Sequence, residues 1–268
     1  SRENPLTARV IANRVWHYHF GQGIVATPSD FGANGARPTH LELLDWLALD
    51  LIEHGYRLKH LHRRILLSST YRQSSRTRPE ALAIDADSRL LWRFPARRLE
   101  AEAIRDSILW ASGALVRTMG GPGFDVFEPN SNYVHVYEPK RTFGANEWRR
   151  MIYQWKPRME QDVTFGVFDC PDAAQVAPDR PISTTPLQAL NLLNSPFVTA
   201  QAEIFAARVD AETSKSSDEA RVARAFRIAL GRAPSDAESE RALELVREHG
   251  LRALTRALLN LSEFLYLP

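Results

Sequence analysis

The 268 residues carry 34 Lys and Arg against 32 Asp and Glu, a formal net charge of +2, with 44% hydrophobic and 25% charged side chains. That mix suits a globular chain able to bury a real core as one large domain or two small ones. It gives no reason to expect nucleic acid as a partner, and no apolar run reaches the roughly 20 residues of a membrane span. The one cysteine, Cys170, excludes an internal disulfide, a Cys-rich zinc site and Cys-x-x-Cys-His haem attachment.

Asn4 and Pro5 read as the cap and first residue of a helix carrying Leu6, Val10, Ile11, Val15 and Tyr18 at helical spacing, with Gly21 as its stop. His17 and His19 near its end are two apart, a poor chelating pair on a helix, so packing or hydrogen bonding is the expectation for them. Residues 21–38 form a loop punctuated by glycine and proline whose spacing does not match a phosphate cradle. Thr39-His40-Leu41-Glu42 reads as a capping box opening a second helix, with Leu41, Leu44, Ala48, Leu51 and Ile52 inward and Gly55 as its end. A third helix is expected over 58–69, with Leu58, Leu61 and Ile65 inward.

The fourth helix is placed over about Pro95 to Gly113, with Arg98, Glu102, Arg105 and Asp106 on its polar side. Two carboxylates beside two arginines suit an acid/base or sugar-binding site, although an ion-pair network is the plainer reading. Between Gly120 and Gly166 the pattern becomes irregular and aromatic. Val134–Glu138 alternates like a strand and Met151–Trp155 reads as a second extended piece.

The stretch from Gly166 to Val198 is the most suggestive for function. A polar turn at Phe168-Asp169-Cys170-Pro171-Asp172 leads through Arg180 to Thr185-Pro186, the start of a helix. Gln188, Asn191 and Asn194 recur every three residues along it, and Leu187, Leu190 and Leu193 form its apolar flank. Cys170 has nothing nearby in sequence to lower its pKa, so a catalytic thiol is not expected. The last third is helical, with capping boxes at Ser216-x-x-Glu219 and Ser235-x-x-Glu238 and a stop at Gly231.

The fold expectation is therefore mainly α: a single multi-helix globular domain over 1–268, with six to nine helices and a small extended or β insertion near the middle. Its parts are N-terminal helices over 1–119, an irregular insertion over 120–165 and C-terminal helices over 166–268. The candidate catalytic residues are His19, His40, Glu102, Arg105 and Asp169, and the candidate ligand-binding residues are Arg180, Gln188, Asn191 and Asn194. No metal site is read from the spacing. The opening Ser1-Arg2-Glu3 reads as cut from something longer.

Seven separated strings, taken in order, resemble one family: NPLTARVIANRVW, HFGQGIVATPSDFG, PTHLELLDWLA, LKHLHRRILLSSTYRQSS, RRLEAEAIRD, TTPLQALNLLNSPFV and NLSEFLYLP. Together they resemble the C-terminal domain of unknown function (no. 1553) of large planctomycete-type surface proteins. There it follows a cytochrome-c-like module and a second domain of unknown function, sometimes with a lectin-like insert. The resemblance implies an extracytoplasmic setting, haem c in another module of the parent and no cofactor in this chain. It also implies the cytochrome-bearing part as partner, with carbohydrate as a candidate ligand. It carries no catalytic residue, and Cys170 departs from the alanine usual in the Phe-Asp-x-Pro turn. Three roles stay open: an interaction or ligand-binding domain, a redox-linked or hydrolytic enzyme acting on glycans, and non-covalent haem or metal binding through histidines.

Overall fold

A computed structural model describes residues 4–131, 133, 136–158, 160–171, 177, 179–214 and 216–267. Among them are eleven α-helices, two short 3-10 turns and one pair of two-residue strands, so the chain is mainly α. Nine of the helices have eight residues or more. The two beyond the expected number are pieces of six and four residues, too short to show a hydrophobic period in the sequence. The chain divides into two units, residues 1–97 and 98–267.

In the first unit, α1 (Thr7–Phe20), α2 (Leu41–Glu53) and α3 (Leu58–Leu66) pack on one another, and α4 (Pro79–Ile84) follows. The Asn4 side chain accepts hydrogen bonds from the N–H groups of Leu6 and Thr7 in the turn that leads into α1, but the cap position is Leu6, so Asn4 and Pro5 stand ahead of the helix and not at its first residues. Gly21 ends it in left-handed backbone, φ 80°, donating to the His17 carbonyl. Trp16, Phe20, Leu47, Leu51, Leu61 and Ile65 fill the core. Asn13, wholly buried, accepts from the Val25 N–H and donates to the Val25 carbonyl, so the loop after α1 is tied to the helix by a complete pair of bonds.

Two details differ from the sequence reading. Thr39 does not form a capping box: its N–H and hydroxyl both go to the Ile24 carbonyl, and the α2 cap position is His40. Leu41 and Leu58, read as inward, are about half exposed, and Leu47 takes the inward place on α2. Both outliers sit at the first residue of a helix, where the apolar stripe has not yet turned inward.

The second unit begins at Arg98, the second residue of β1 (Arg97–Arg98), and continues through α5 (Ala101–Ser112), α6 (Pro186–Asn194), α7 (Pro196–Glu212), α8 (Asp218–Leu230), α9 (Asp236–His249), α10 (Leu251–Leu258), α11 (Ser262–Leu265) and β2 (Tyr266–Leu267). Helix α10 packs against α7, α8 and α9, and α5 lies on α7. Its core includes Ile104, Ile108, Phe165, Phe168, Phe205 and Leu254. The expected start of the fourth helix at Pro95 is corrected to Ala101. Residues before it are extended because β1 pairs with β2 and the Leu99 N–H donates to the Leu265 carbonyl.

Ser235 and Glu238 form the expected capping box at α9. At α8 the cap is Ser217, whose hydroxyl accepts from the Ala220 N–H, not Ser216. The middle insertion is irregular and forms no sheet among its described residues. Only isolated bridges occur among its described residues, Val116 with Arg149, Phe124 with Gln154 and Phe127 with Pro139. Met151–Tyr153 is a 3-10 turn and not a strand, and Val134 and His135 of the other expected strand lie outside the described residues. The aromatics of the insertion also divide: Phe124 and Phe127 are buried, whereas Trp155 is 46% exposed.

Candidate functional site

Two polar networks adjoin where the 166–188 segment meets the start of α5. The first centres on Asp169. The 3-10 turn Gly166–Phe168 ends there in left-handed backbone, φ 58°, a conformation that Asp tolerates better than most residues. Its carboxylate accepts from the Ser183 hydroxyl at 2.8 Å and the Ser183 N–H at 2.9 Å, and it pairs with Arg98. Arg98 also donates to Gln188 Oε1 at 3.0 Å and to the carbonyl of Ser183. Gln188 in turn donates to the Val167 carbonyl at 2.9 Å, while its Oε1 accepts from the Thr185 N–H across the first turn of α6. Burial alone would raise the Asp169 carboxyl; the Ser183 bonds and Arg98 outweigh it and hold it below the usual range.

The second network begins one residue on. Cys170 Sγ is 2.9 Å from Lys156 Nζ, which lies 3.3 Å from Glu102 Oε1. Arg180 grips Glu102 through both terminal nitrogens, at 2.7 and 3.2 Å. Burial works against the Glu102 carboxylate, but Arg180, its own backbone and Lys156 bring its pKa down to about 2. Burial would lower the Lys156 ammonium, and Cys170 and Glu102 raise it instead. Burial pushes the Cys170 thiol up further than Lys156 draws it down. At neutral pH the cluster is therefore a carboxylate, an ammonium, a guanidinium and an un-ionised thiol. None of these is poised to exchange a proton near pH 7, as a general acid, base or thiolate nucleophile must.

A carboxyl that titrates at 4.5 ordinarily and at about 2 when folded adds stability that is complete above pH 4.5 and is lost as pH falls through about 2. Glu102→Gln should therefore cost about 1–3 kcal/mol at pH 7, discounted for partial solvent access, and approach zero near pH 2. Urea unfolding of both proteins at the two pH values checks this. A difference that stayed constant across that range would mean Glu102 acts only through shape.

The remaining candidates are scattered. Arg105 is 1% exposed and donates to the carbonyls of Glu147 and Arg149, so it braces the insertion from inside. Burial lowers its pKa to about 10, which still leaves it charged. Asp106 beside it accepts from the Met151 N–H and from Arg150. Asn191 donates to the Val163 carbonyl and Asn194 to that of Leu190. Leu187, Leu190 and Leu193 face outward, and the buried residues of α6 are Gln188 and Leu192.

His19 and His40 belong to the first unit. His19 shares a 2.8 Å hydrogen bond with His62, and burial, His62 and Arg97 all lower its pKa. His40 bonds Thr39. Lys156 carries no local signal in the sequence; only its approach to residues 14 and 54 positions away gives it a role.

Two cavities lie along the insertion. One cavity of about 530 Å³ is lined by Phe127, Phe143, Phe197, Lys140, Arg141 and Asp162, among others. A second, of about 520 Å³, includes Phe124, Phe127, Tyr137, Trp155, Asp125 and Glu128. Phe127 lines both. The Trp155 and Tyr137 rings are 6.2 Å apart and tilted by 34°.

The family model of PSD1, described as a protein of unknown function (DUF1553), matches residues 1–246. No curated protein and no solved structure matches the chain.

Proposed function

Since the chain belongs to the PSD1 family (DUF1553), a membership that names no activity, we propose that its second unit is a ligand-binding module whose insertion takes a carbohydrate. The observation that carries this reading is the cleft of about 520 Å³ in which a half-exposed Trp155 stands beside Tyr137, with Asp125, Glu128 and Asn130 on its lining. A sugar ring offers an apolar C–H face for an aromatic surface and hydroxyls that donate to carboxylates. A concave apolar site with a few polar groups is the general form of a small-ligand pocket. We place the ligand there and not at Arg180, Gln188, Asn191 and Asn194, whose donors are engaged within the chain.

The catalytic alternative has less support, because the Glu102, Lys156 and Cys170 group is held in fixed protonation states. Our reading also takes this unit to serve an extracytoplasmic protein whose haem c is carried elsewhere in the polypeptide. Its support is the sequence resemblance described above. No helix among the described residues is long and apolar enough to cross a membrane.

A glycan array probed with the wild-type chain and with Trp155→Ala tests the assignment. Trp110→Ala, which removes another half-exposed tryptophan from α5, serves as the control. Binding to a defined set of glycans should fall tenfold or more in Trp155→Ala, equivalent to about 1.4 kcal/mol, and persist in the control. Equal loss in both variants, or no glycan bound by folded wild type, would remove the proposal.

A further inference from the structure

The turn between α2 and α3 gathers three groups with the chemistry of metal ligands. Asp50 stands in the last turn of α2 and His54 four residues on, so both project from one side of the helix end. Gly55 and Tyr56 then adopt left-handed backbone in succession, φ 65° and 59°. That reverses the chain sharply and sets His60, in the first turn of α3, opposite them. His60 Nε2 is 2.9 Å from Asp50 Oδ2, and His54 Nδ1 is 3.5 Å from Asp50 Oδ1. One ligand atom from each of the three residues lies within 4.8 Å of the others. The carboxylate is buried and His54 is exposed, so the group opens to solvent on its histidine side.

We propose that Asp50, His54 and His60 bind a divalent transition-metal ion of the zinc class. One carboxylate oxygen and two imidazole nitrogens form a donor set that such ions prefer, whereas magnesium and calcium favour oxygen alone. Tetrahedral bonds of about 2.0–2.1 Å place ligand atoms about 3.3 Å apart, so the trio needs only a modest contraction. His54 exchanges its 2.8 Å bond to the Asp50 carbonyl for the ion, and the two rings, stacked at 3.7 Å, tilt apart. Three protein ligands leave a fourth position for water or a small anion. The Arg64 guanidinium, 3.5 Å from Asp50 Oδ1, competes for the same carboxylate.

Titrating the full chain with zinc chloride against a chromophoric chelator, and separately with magnesium chloride, tests this. One equivalent of zinc should bind and magnesium should not compete. His54→Ala and His60→Ala should each weaken zinc tenfold or more, while Arg64→Ala should tighten it several-fold. His54 is exposed, so its variant removes a ligand without emptying the core, and circular dichroism verifies that both histidine variants are folded. Absence of stoichiometric zinc, or unchanged affinity in both histidine variants, overturns the site. Weaker binding in Arg64→Ala would exclude the Asp50 carboxylate as a ligand.

Discussion

Arg105→Ala should destabilise residues 98–267 by about 3–5 kcal/mol, the cost of breaking a buried charged hydrogen-bond group and leaving space behind it. Arg105 enters the core from α5 and its guanidinium donates to two carbonyls of the insertion, those of Glu147 and Arg149. It also lies over the rings of Phe124 and Phe197, 4.8 and 5.0 Å from their centroids. Removing it orphans two backbone acceptors and detaches the insertion from the helix that holds it. Arg105→Lys should recover less than half of the loss, because one ammonium cannot reproduce a planar fork. Urea unfolding followed by far-UV circular dichroism gives the energy. A loss below about 1 kcal/mol would mean the carbonyls find water.

Arg98→Ala should cost about 2–4 kcal/mol, for a different reason. Arg98, 8% exposed, is the countercharge of Asp169 and also holds Gln188, the residue that closes the first turn of α6. Its loss leaves a carboxylate with only Ser183 to bind among the described residues and frees the loop that leads into the helix. In a double-mutant cycle with Asp169→Asn, the pair should couple by about 1–3 kcal/mol, because neutralising the stranded carboxylate returns part of the loss. Thermal unfolding of the four proteins supplies the cycle. Strict additivity would show that Arg98 acts through packing and not through Asp169.

What the sequence made legible was local. The Thr185-Pro186 start of α6 and the Ser235 and Glu238 box each depend on residues within one helical turn, and each occurs as read. What it hid depends on distance along the chain. Residues 95–100 are compatible with helix by composition, yet they are extended because residues near 266 pair with them. The leucines of α6 repeat with helical period, but a period cannot say which side faces the core; Gln188 is inward because Arg98, 90 positions away, needs its oxygen. The spacing rule that set aside His17 and His19 does pick out Asp50 and His54. Their third companion comes into place only through the left-handed turn at Gly55 and Tyr56. Glu102 and Arg180 were legible as polar candidates, but their mutual pairing, 78 residues apart, was not.

The measurement that bears most directly on the proposed carbohydrate site is hydrogen exchange, read by mass spectrometry, with and without the best-bound glycan from the array. Protection should concentrate in residues 123–155, where Phe124, Tyr137 and Trp155 line the cleft, and leave residues 180–194 unchanged. Protection confined to 180–194 would return the site to Arg180 and the amide row of α6 and contradict the assignment made here.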